Sequence, residues 1–267
     1  IMFSLGLGLS LSDFKRVITT PRDFLVGFFG QVIILPIIAF ILIQIISISP
    51  EIALGLMVIA AAPGGVTSNI VTKFANGDVA LSVTLTAIVS LISIITLPFI
   101  VFNSANFLGF EITKEISIIN IAVKMFFVVT VPVIFGMIFR NLMKDFVSTK
   151  TLLIERLSLI LFLIVFISVW VEEWDRILSY ITSAGLVAFI LNMTMILIGY
   201  YMAKFLASGL EQRKCISLEC GLQNGTLAIF VITQLFDDIA FMVPTAAYAL
   251  IMFVTSIIFV LIVRKIN

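Results

Sequence analysis

Apolar stretches long enough to cross a lipid bilayer follow one another along this chain, with only short polar punctuation between them. They run near 24–47, 52–76, 79–103, 117–140, 151–171, 181–206, 212–236 and 240–263, after a shorter apolar segment at 1–11. A helix needs about 20 apolar residues to cross the hydrocarbon core. Composition agrees, because hydrophobic residues make up 61% of the chain against about 45–50% in soluble domains. Charged residues are 12% and the mean hydropathy is +1.26. A soluble fold of 267 residues cannot hide that much apolar surface. The fold class expected is an all-α membrane protein.

The placement of charge orients the spans. With spans alternating sides, one face holds Lys15, Arg16, Arg22, Lys73, Arg140, Lys144, Lys150, Arg156, Lys204, Arg213, Lys214, Arg264 and Lys265. The opposite face holds Lys114 and Arg176, with the acids Glu172, Glu173, Asp175, Asp237 and Asp238, while Lys124 lies inside a span. Lys and Arg concentrate in cytoplasmic loops, so the C-terminus is expected in the cytoplasm and the bilayer is expected to be a bacterial inner membrane. The segment from Ile1 to Leu11 is too short to span and lacks the features of a cleavable signal. It reads as the second half of a helix whose beginning is absent. No second domain is visible, so residues 1–267 read as one transmembrane unit.

Two spans are interrupted. One carries Ala62-Pro63-Gly64-Gly65-Val66-Thr67-Ser68-Asn69, and the other Glu219-Cys220-Gly221-Leu222-Gln223-Asn224-Gly225-Thr226. Proline lacks an N–H and glycine supports a helix poorly. Such breaks persist at membrane depth only where protein or a water-filled cavity satisfies the backbone. Each broken span stands between two long helices, and paired broken helices in matching halves point to a transporter site. The halves are expected to be inverted repeats, 1–103 and 117–267, five plus five helices in the full protein.

Glu219 is the one acid placed deep inside a span. A charge there costs roughly 2.5–3.5 kcal/mol on insertion scales, which marks a functional candidate. The plainer reading is a protonated structural glutamate bonded to its neighbours. Hard cations take oxygen ligands, and neutral ones gather nearby: Ser68 and Asn69 past the first break, Ser82 and Thr86 on one face of the next helix, Gln31, and Gln223 with Asn224 at the second break. Singly, such a hydroxyl more often bonds its own backbone and such an amide joins helices. The chain has no His, and Cys215 and Cys220 read as small buried residues rather than a disulfide or metal pair. Lys124 reads as snorkelling or pairing within the bundle, with a substrate counter-charge as the alternative. Trp170, Trp174 and Tyr180 read as interfacial anchors, and Gly6 and Gly8 as points of close helix contact.

These residues resemble the bile acid:sodium symporter family over essentially the whole chain. The likeness rests on Pro63-Gly64-Gly65 with Ser68-Asn69, on Gly77 with Leu81-Ser82 and Thr86, and on Glu219, Gly221, Gln223-Asn224 with Leu227-Ala228. Gly6, Gly8-Leu9, Ser12-Asp13-Phe14, Pro21 and Gln31 fit as well. The resemblance implies an inverted-repeat transporter fold with a core domain, a panel domain and two discontinuous helices that cross in the core. The first helix and part of the second are then missing here. Segments 24–103, 117–140 and 181–267 would be core, and the first segment with 151–171 panel. One sodium site would use Ser68, Asn69, Ser82, Thr86 and Glu219. A second would use Gln31, Glu219 and Gln223 with the main-chain carbonyls of Cys220 and Leu222.

The implied activity is sodium-coupled symport of a small organic anion by alternating access, with sodium as the coupling ion and no resident cofactor. The anion would meet Asn224 and the backbone from Val66 through Thr67 and Ser68 to Asn69, where helix N-termini offer unpaired N–H groups. Many relatives carry Thr-Ala where this chain has Val66-Thr67, and some bile-acid carriers have His-Asn where it has Met252-Phe253. A bile acid is therefore not assigned as substrate. The partners expected are sodium, an organic anion and lipid, with no nucleic acid. A sodium/proton antiporter of related architecture and a non-transporting membrane sensor stay open. Enzymatic activity is not expected, since the chain offers neither a His-containing motif nor a pair of intramembrane Asp residues.

Overall fold

The computed structural model describes residues 2–10, 14, 17, 21–110, 117–147, 149–150, 153–154, 157, 160–161, 164, 167, 174–236 and 238–265, giving the backbone alone for 174–181 and 183. The readings of Ser12, Asp13, Lys15, Arg16, Lys114, Arg156, Trp170, Glu172, Glu173 and Asp237 lie outside these residues, as do the side chains of Trp174, Asp175, Arg176 and Tyr180. Most of the 151–171 span lies outside them too.

Where described, the regular structure is helical. The elements are α1 (Met2–Gly8), α2 (Pro21–Ile45), α3 (Pro50–Ala61), α4 (Val66–Phe74), α5 (Val79–Phe107), α6 (Ile118–Leu142), α7 (Trp174–Leu206), α8 (Leu210–Gly221), α9 (Gly225–Thr233) and α10 (Val243–Val263). Side chains of Ser49, Asp78, Ser117 and Asn224 accept the first free N–H groups of α3, α5, α6 and α9. α4 ends on Asn76 in the left-handed region (φ 54°), and Gly77 N–H returns to Thr72 O at 2.9 Å.

Two long helices share one local device. α2 contains a π-helical turn at Gly30–Ile34 and α6 one at Phe126–Thr130. Leu35 N–H reaches back to Gly30 O, and Val131 N–H to Phe126 O. A proline stands two residues beyond each turn, Pro36 and Pro132. A proline lacks the N–H and crowds the carbonyl four residues earlier, and a widened turn before it relieves the clash.

Five described helical segments are long and apolar enough to cross a membrane: Pro21–Ile45, Val79–Phe107, Ile118–Leu142, Ala184–Leu206 and Ile239–Val263. Their outer faces expose Ile37, Ile41 and Ile45 on α2 and Val254, Ile257 and Leu261 on α10, at helical spacing. Apolar stripes of this kind belong against lipid. The chain is an all-α, multi-pass integral membrane protein. The first halves of the broken pairs α3–α4 and α8–α9 occupy the interior: every residue from Ile52 to Ala61 and from Lys214 to Gly221 is buried. α5, α7 and α10 pack around them.

Packing divides one span between two neighbours and revises the reading of Gly8. The first half of α6 packs on α5, whereas the second half packs on α1. Gly6 makes the contact there, its Cα facing Gly136 so closely that a β-carbon would lie 3.0 Å from Gly136 Cα, while Gly8 faces open space. Gly8 contributes its carbonyl instead, which accepts from Arg140 Nη1 at 3.0 Å.

Candidate functional site

The two breaks cross each other. Ala62 is extended ahead of Pro63, as a residue before proline prefers. Leu222 ends α8 in an extended conformation as well. Gly64 and Gln223 then form an isolated antiparallel bridge, and Asn224 N–H donates to Pro63 O at 2.8 Å. One strand-like pairing thus satisfies backbone groups that the broken helices release. The C-terminal ends of α3 and α8 and the N-terminal ends of α4 and α9 meet at this point.

Glu219 lies in the last turn of α8, fully buried, with its carboxylate at the crossing. Oε1 accepts from Ser68 Oγ (2.5 Å), Ser82 Oγ (2.5 Å) and Thr86 Oγ1 (3.3 Å), and Oε2 from Gln31 Nε2 (3.0 Å) and Thr86 Oγ1 (3.1 Å). Ser82 Oγ also lies 2.8 Å and Thr86 Oγ1 3.4 Å from Asn69 Oδ1. Ser68 Oγ lies 2.7 Å from Gly65 O and 3.3 Å from Thr86 Oγ1. These three hydroxyls bring three protons to eight oxygen–oxygen approaches. The group has more lone pairs than protons, which is the donor set a hard cation takes.

A second set comes from two buried glutamines. Gln31 comes from the π-turn of α2 and gives its Nε2 to Glu219, leaving Oε1 buried without a partner. Gln223 gives its Nε2 to Cys220 O (3.0 Å) and Glu219 O (3.4 Å), and its Oε1 is likewise buried and unpaired. Leaving a buried polar atom unpaired costs about 1–3 kcal/mol, so the orphan oxygen of Gln31, whose amide holds the carboxylate, and that of Gln223, whose amide holds the end of α8, are each suited to a cation. The Cys220 carbonyl, read from the sequence as an ion ligand, accepts from the Gln223 amide; Leu222 stands at the break.

The crossing therefore gathers Ser68, Asn69, Ser82, Thr86, Gln31 and Glu219 by direct side-chain contact, and Gln223 through the backbone of α8. Val66 and Thr67 form the half-buried first turn of α4. Asn224 caps α9 through its Oδ1, 3.1 Å from Leu227 N, which leaves its Nδ2 as the available donor. Lys124 lies away from this cluster and donates to Gln234 Oε1 at 2.7 Å.

The sequence reading passed over a third group behind the second break. Asn192 Nδ2 (2.7 Å) and Tyr248 Oη (3.0 Å) both donate to Gly221 O, and Thr255 Oγ1 donates to Asn192 Oδ1 (2.6 Å). The signal was an amide alone in an apolar span, as with Gln31, but only the packed partner reveals its purpose.

The model of the sodium bile acid symporter family matches residues 1–180, which includes the first break and stops short of the second. The probable sodium/metabolite cotransporter BASS1, chloroplastic, of Arabidopsis thaliana is 27% identical over 245 residues, 92% of this chain and 60% of its own length. The uncharacterized sodium-dependent transporter YocS of Bacillus subtilis (strain 168) is 28% identical over 252 residues, 93% of this chain and 76% of its own. The probable sodium/metabolite cotransporter BASS2, chloroplastic, of Oryza sativa subsp. japonica is 26% identical over 246 residues, 92% and 58% respectively. The chain spans less than two-thirds of the length of both plant relatives.

Proposed function

The chain belongs to the sodium bile acid symporter family, and on that footing we propose that it is a secondary active transporter carrying sodium and a small organic anion across the membrane together. The observation that carries this reading is the oxygen-rich, proton-poor surrounding of Glu219 at the crossing of two broken helices.

In this proposal one sodium ion is held by Ser68, Asn69, Ser82, Thr86 and Glu219. A second is held by Glu219, the free oxygens of Gln31 and Gln223, and the main chain near Cys220 and Leu222. Glu219 serves both. Two ions against one carboxylate leave a single positive charge, which a monovalent anion neutralises before the site moves through the low-dielectric core. The anion rests where α4 and α9 begin, against the backbone from Val66 to Asn69, the Thr67 hydroxyl and the Asn224 amide. Helix N-termini suit it because their unpaired donors and dipole favour negative charge. Transport then proceeds by alternating access, the broken helices moving with the core past α1 and the second half of α6, in an inner membrane with the C-terminus in the cytoplasm. The inverted-repeat relation of 1–103 to 117–267 belongs to the same proposal.

Thermal unfolding of the purified protein in sodium, with potassium and choline as controls, tests the reading. A rise specific to sodium, saturating, and lost in Glu219→Ala is the expected result, since a ligand that binds only the folded state stabilises it. A well-folded sample indifferent to sodium would overturn it and favour proton coupling or a sensor.

A further inference from the structure

The C-terminal end of α8 allows a complete account of its backbone acceptors. A helix leaves its last four carbonyls without intrahelical partners. Here Leu218 O accepts from Leu222 N–H (2.8 Å), and Glu219 O and Cys220 O accept from Gln223 Nε2. Each of those donors lies within the broken segment itself. Gly221 O is different. It accepts from Asn192 on α7 and from Tyr248 on α10, so two separate helices reach in to hold one carbonyl.

The holders are themselves fixed. Thr255 Oγ1 donates to Asn192 Oδ1 at 2.6 Å, which sets the oxygen of that amide toward α10 and its NH₂ toward Gly221. Thr255 Oγ1 also lies 2.9 Å from Ile251 O and 3.2 Å from Met252 O, in the turn before it. Asn192 and Tyr248 are fully buried, and Thr255 nearly so. A β-carbon at Gly221 would meet Ile196 Cγ1 at 2.5 Å, so the backbone there lies directly against α7.

We infer that Asn192, Tyr248 and Thr255 form a clamp that sets the peptide plane after Gly221 and thereby positions Glu219 and Gln223 for the coupling ion. A peptide is planar, with its C=O and N–H pointing in opposite directions. Holding Gly221 O toward α7 and α10 directs Leu222 N–H back to Leu218 O. It also fixes where the chain leaves α8, and so where Gln223 swings across the break. Glu219 lies two residues earlier on the same final turn. The three residues touch no ion. They act through the backbone, as outer partners do in metal sites, where their loss costs roughly 10–100-fold in affinity. The inference rests on the proposed sodium binding at this crossing.

Tyr248→Phe keeps the ring and removes one donor. Thr255→Val keeps the shape and frees the Asn192 amide to turn, while Thr255→Ser keeps the hydroxyl. The measurement is the sodium concentration giving half the maximal thermal stabilisation of the purified protein, with melting in choline as the sodium-free reference. Expected are rises of about tenfold in that concentration for Tyr248→Phe and Thr255→Val, and recovery to near the unsubstituted value for Thr255→Ser. Melting points that fall equally in sodium and choline, with half-saturation unchanged, would overturn the clamp and leave a merely structural network. If Tyr248→Phe does not fold, the two Thr255 variants decide the matter alone. If the unsubstituted protein shows no sodium response, the sodium reading itself fails and the clamp with it, an outcome distinct from failure of the clamp alone.

Discussion

A β-carbon at Gly64 would lie 2.7 Å from Glu219 Oε2, so the acid that faces both oxygen sets leaves no room for a side chain on the opposite break. The two breaks are fitted to each other at this point, because Gly64 also pairs with Gln223 across the bridge. Gly64→Ala therefore forces the carboxylate away from Ser68, Ser82, Thr86 and Gln31, or pushes the breaks apart. Overpacking of this kind costs about 1–3 kcal/mol. The expected outcome is a folded protein with a melting point lowered in choline and with sodium stabilisation reduced at least several-fold. Unchanged sodium half-saturation in Gly64→Ala would show that the carboxylate has slack the geometry does not provide.

Glu219→Gln separates charge from shape. Ionised, as the proposed ion site requires, the carboxylate is a fully buried charge held by hydroxyls and one amide. Burying an ion without a counter-ion is unfavourable, so removing the charge relieves part of that cost while removing the attraction for sodium. Two opposite signs are expected: melting in choline is unchanged or raised, by up to about 2 kcal/mol of stability, and the sodium-specific increment disappears. A variant destabilised in choline and still responsive to sodium would contradict both parts.

Much of the architecture was legible because membrane solvent imposes simple rules. The break at Pro63-Gly64-Gly65 and the one around Leu222 to Asn224 were visible as helix-breaking chemistry inside apolar runs, and Glu219 as an acid where none is tolerated without a purpose. Ser82 and Thr86 were legible as a pair because spacing puts them on one face. What escaped notice depends on tertiary partners. Pro36 and Pro132 are plain in the sequence, yet nothing local dictates that the strain is taken up by a π-turn, or that this turn aims Gln31 at Glu219. Gly6 and Gly8 look alike in sequence, and only the path of α6 decides that Gly6 makes the contact. The division of α6 between two neighbours is invisible to hydropathy, since both halves are equally apolar. Asn192 and Tyr248 were unreadable for a related reason. A polar group in an apolar helix declares that it has a partner and never which one.

The contact between α1 and α6 predicts a clean separation of stability from ion binding. Gly6 and Gly136 meet backbone to backbone, and small residues permit such approach in membrane helices. Gly136→Val drives these helices apart at a distance from the crossing. Expected is a loss of about 1–3 kcal/mol, seen as a lower melting point in choline and sodium alike, with the sodium half-saturation unchanged. A shift in half-saturation would mean that the α1–α6 contact is coupled to the ion site.

The last prediction concerns the number of ions. Gln31 Oε1 and Gln223 Oε1 form one set of buried, unpaired oxygens, whereas Ser68, Ser82, Thr86 and Asn69 form the other by mutual contact around Glu219 Oε1. If each set holds one sodium ion, cooperative binding has a Hill coefficient approaching about two, the limit being the number of sites. Gln223→Leu removes one orphan oxygen and keeps comparable bulk, and it should bring the coefficient to about one while a single weaker sodium response survives. Ser82→Ala strips the other set, and it should also bring the coefficient toward about one. The double variant should abolish the response. Sodium titrations of thermal stability on the three variants check this. A coefficient near one in the unsubstituted protein, or one that stays near two in Gln223→Leu, would reduce the crossing to a single ion or place the second elsewhere.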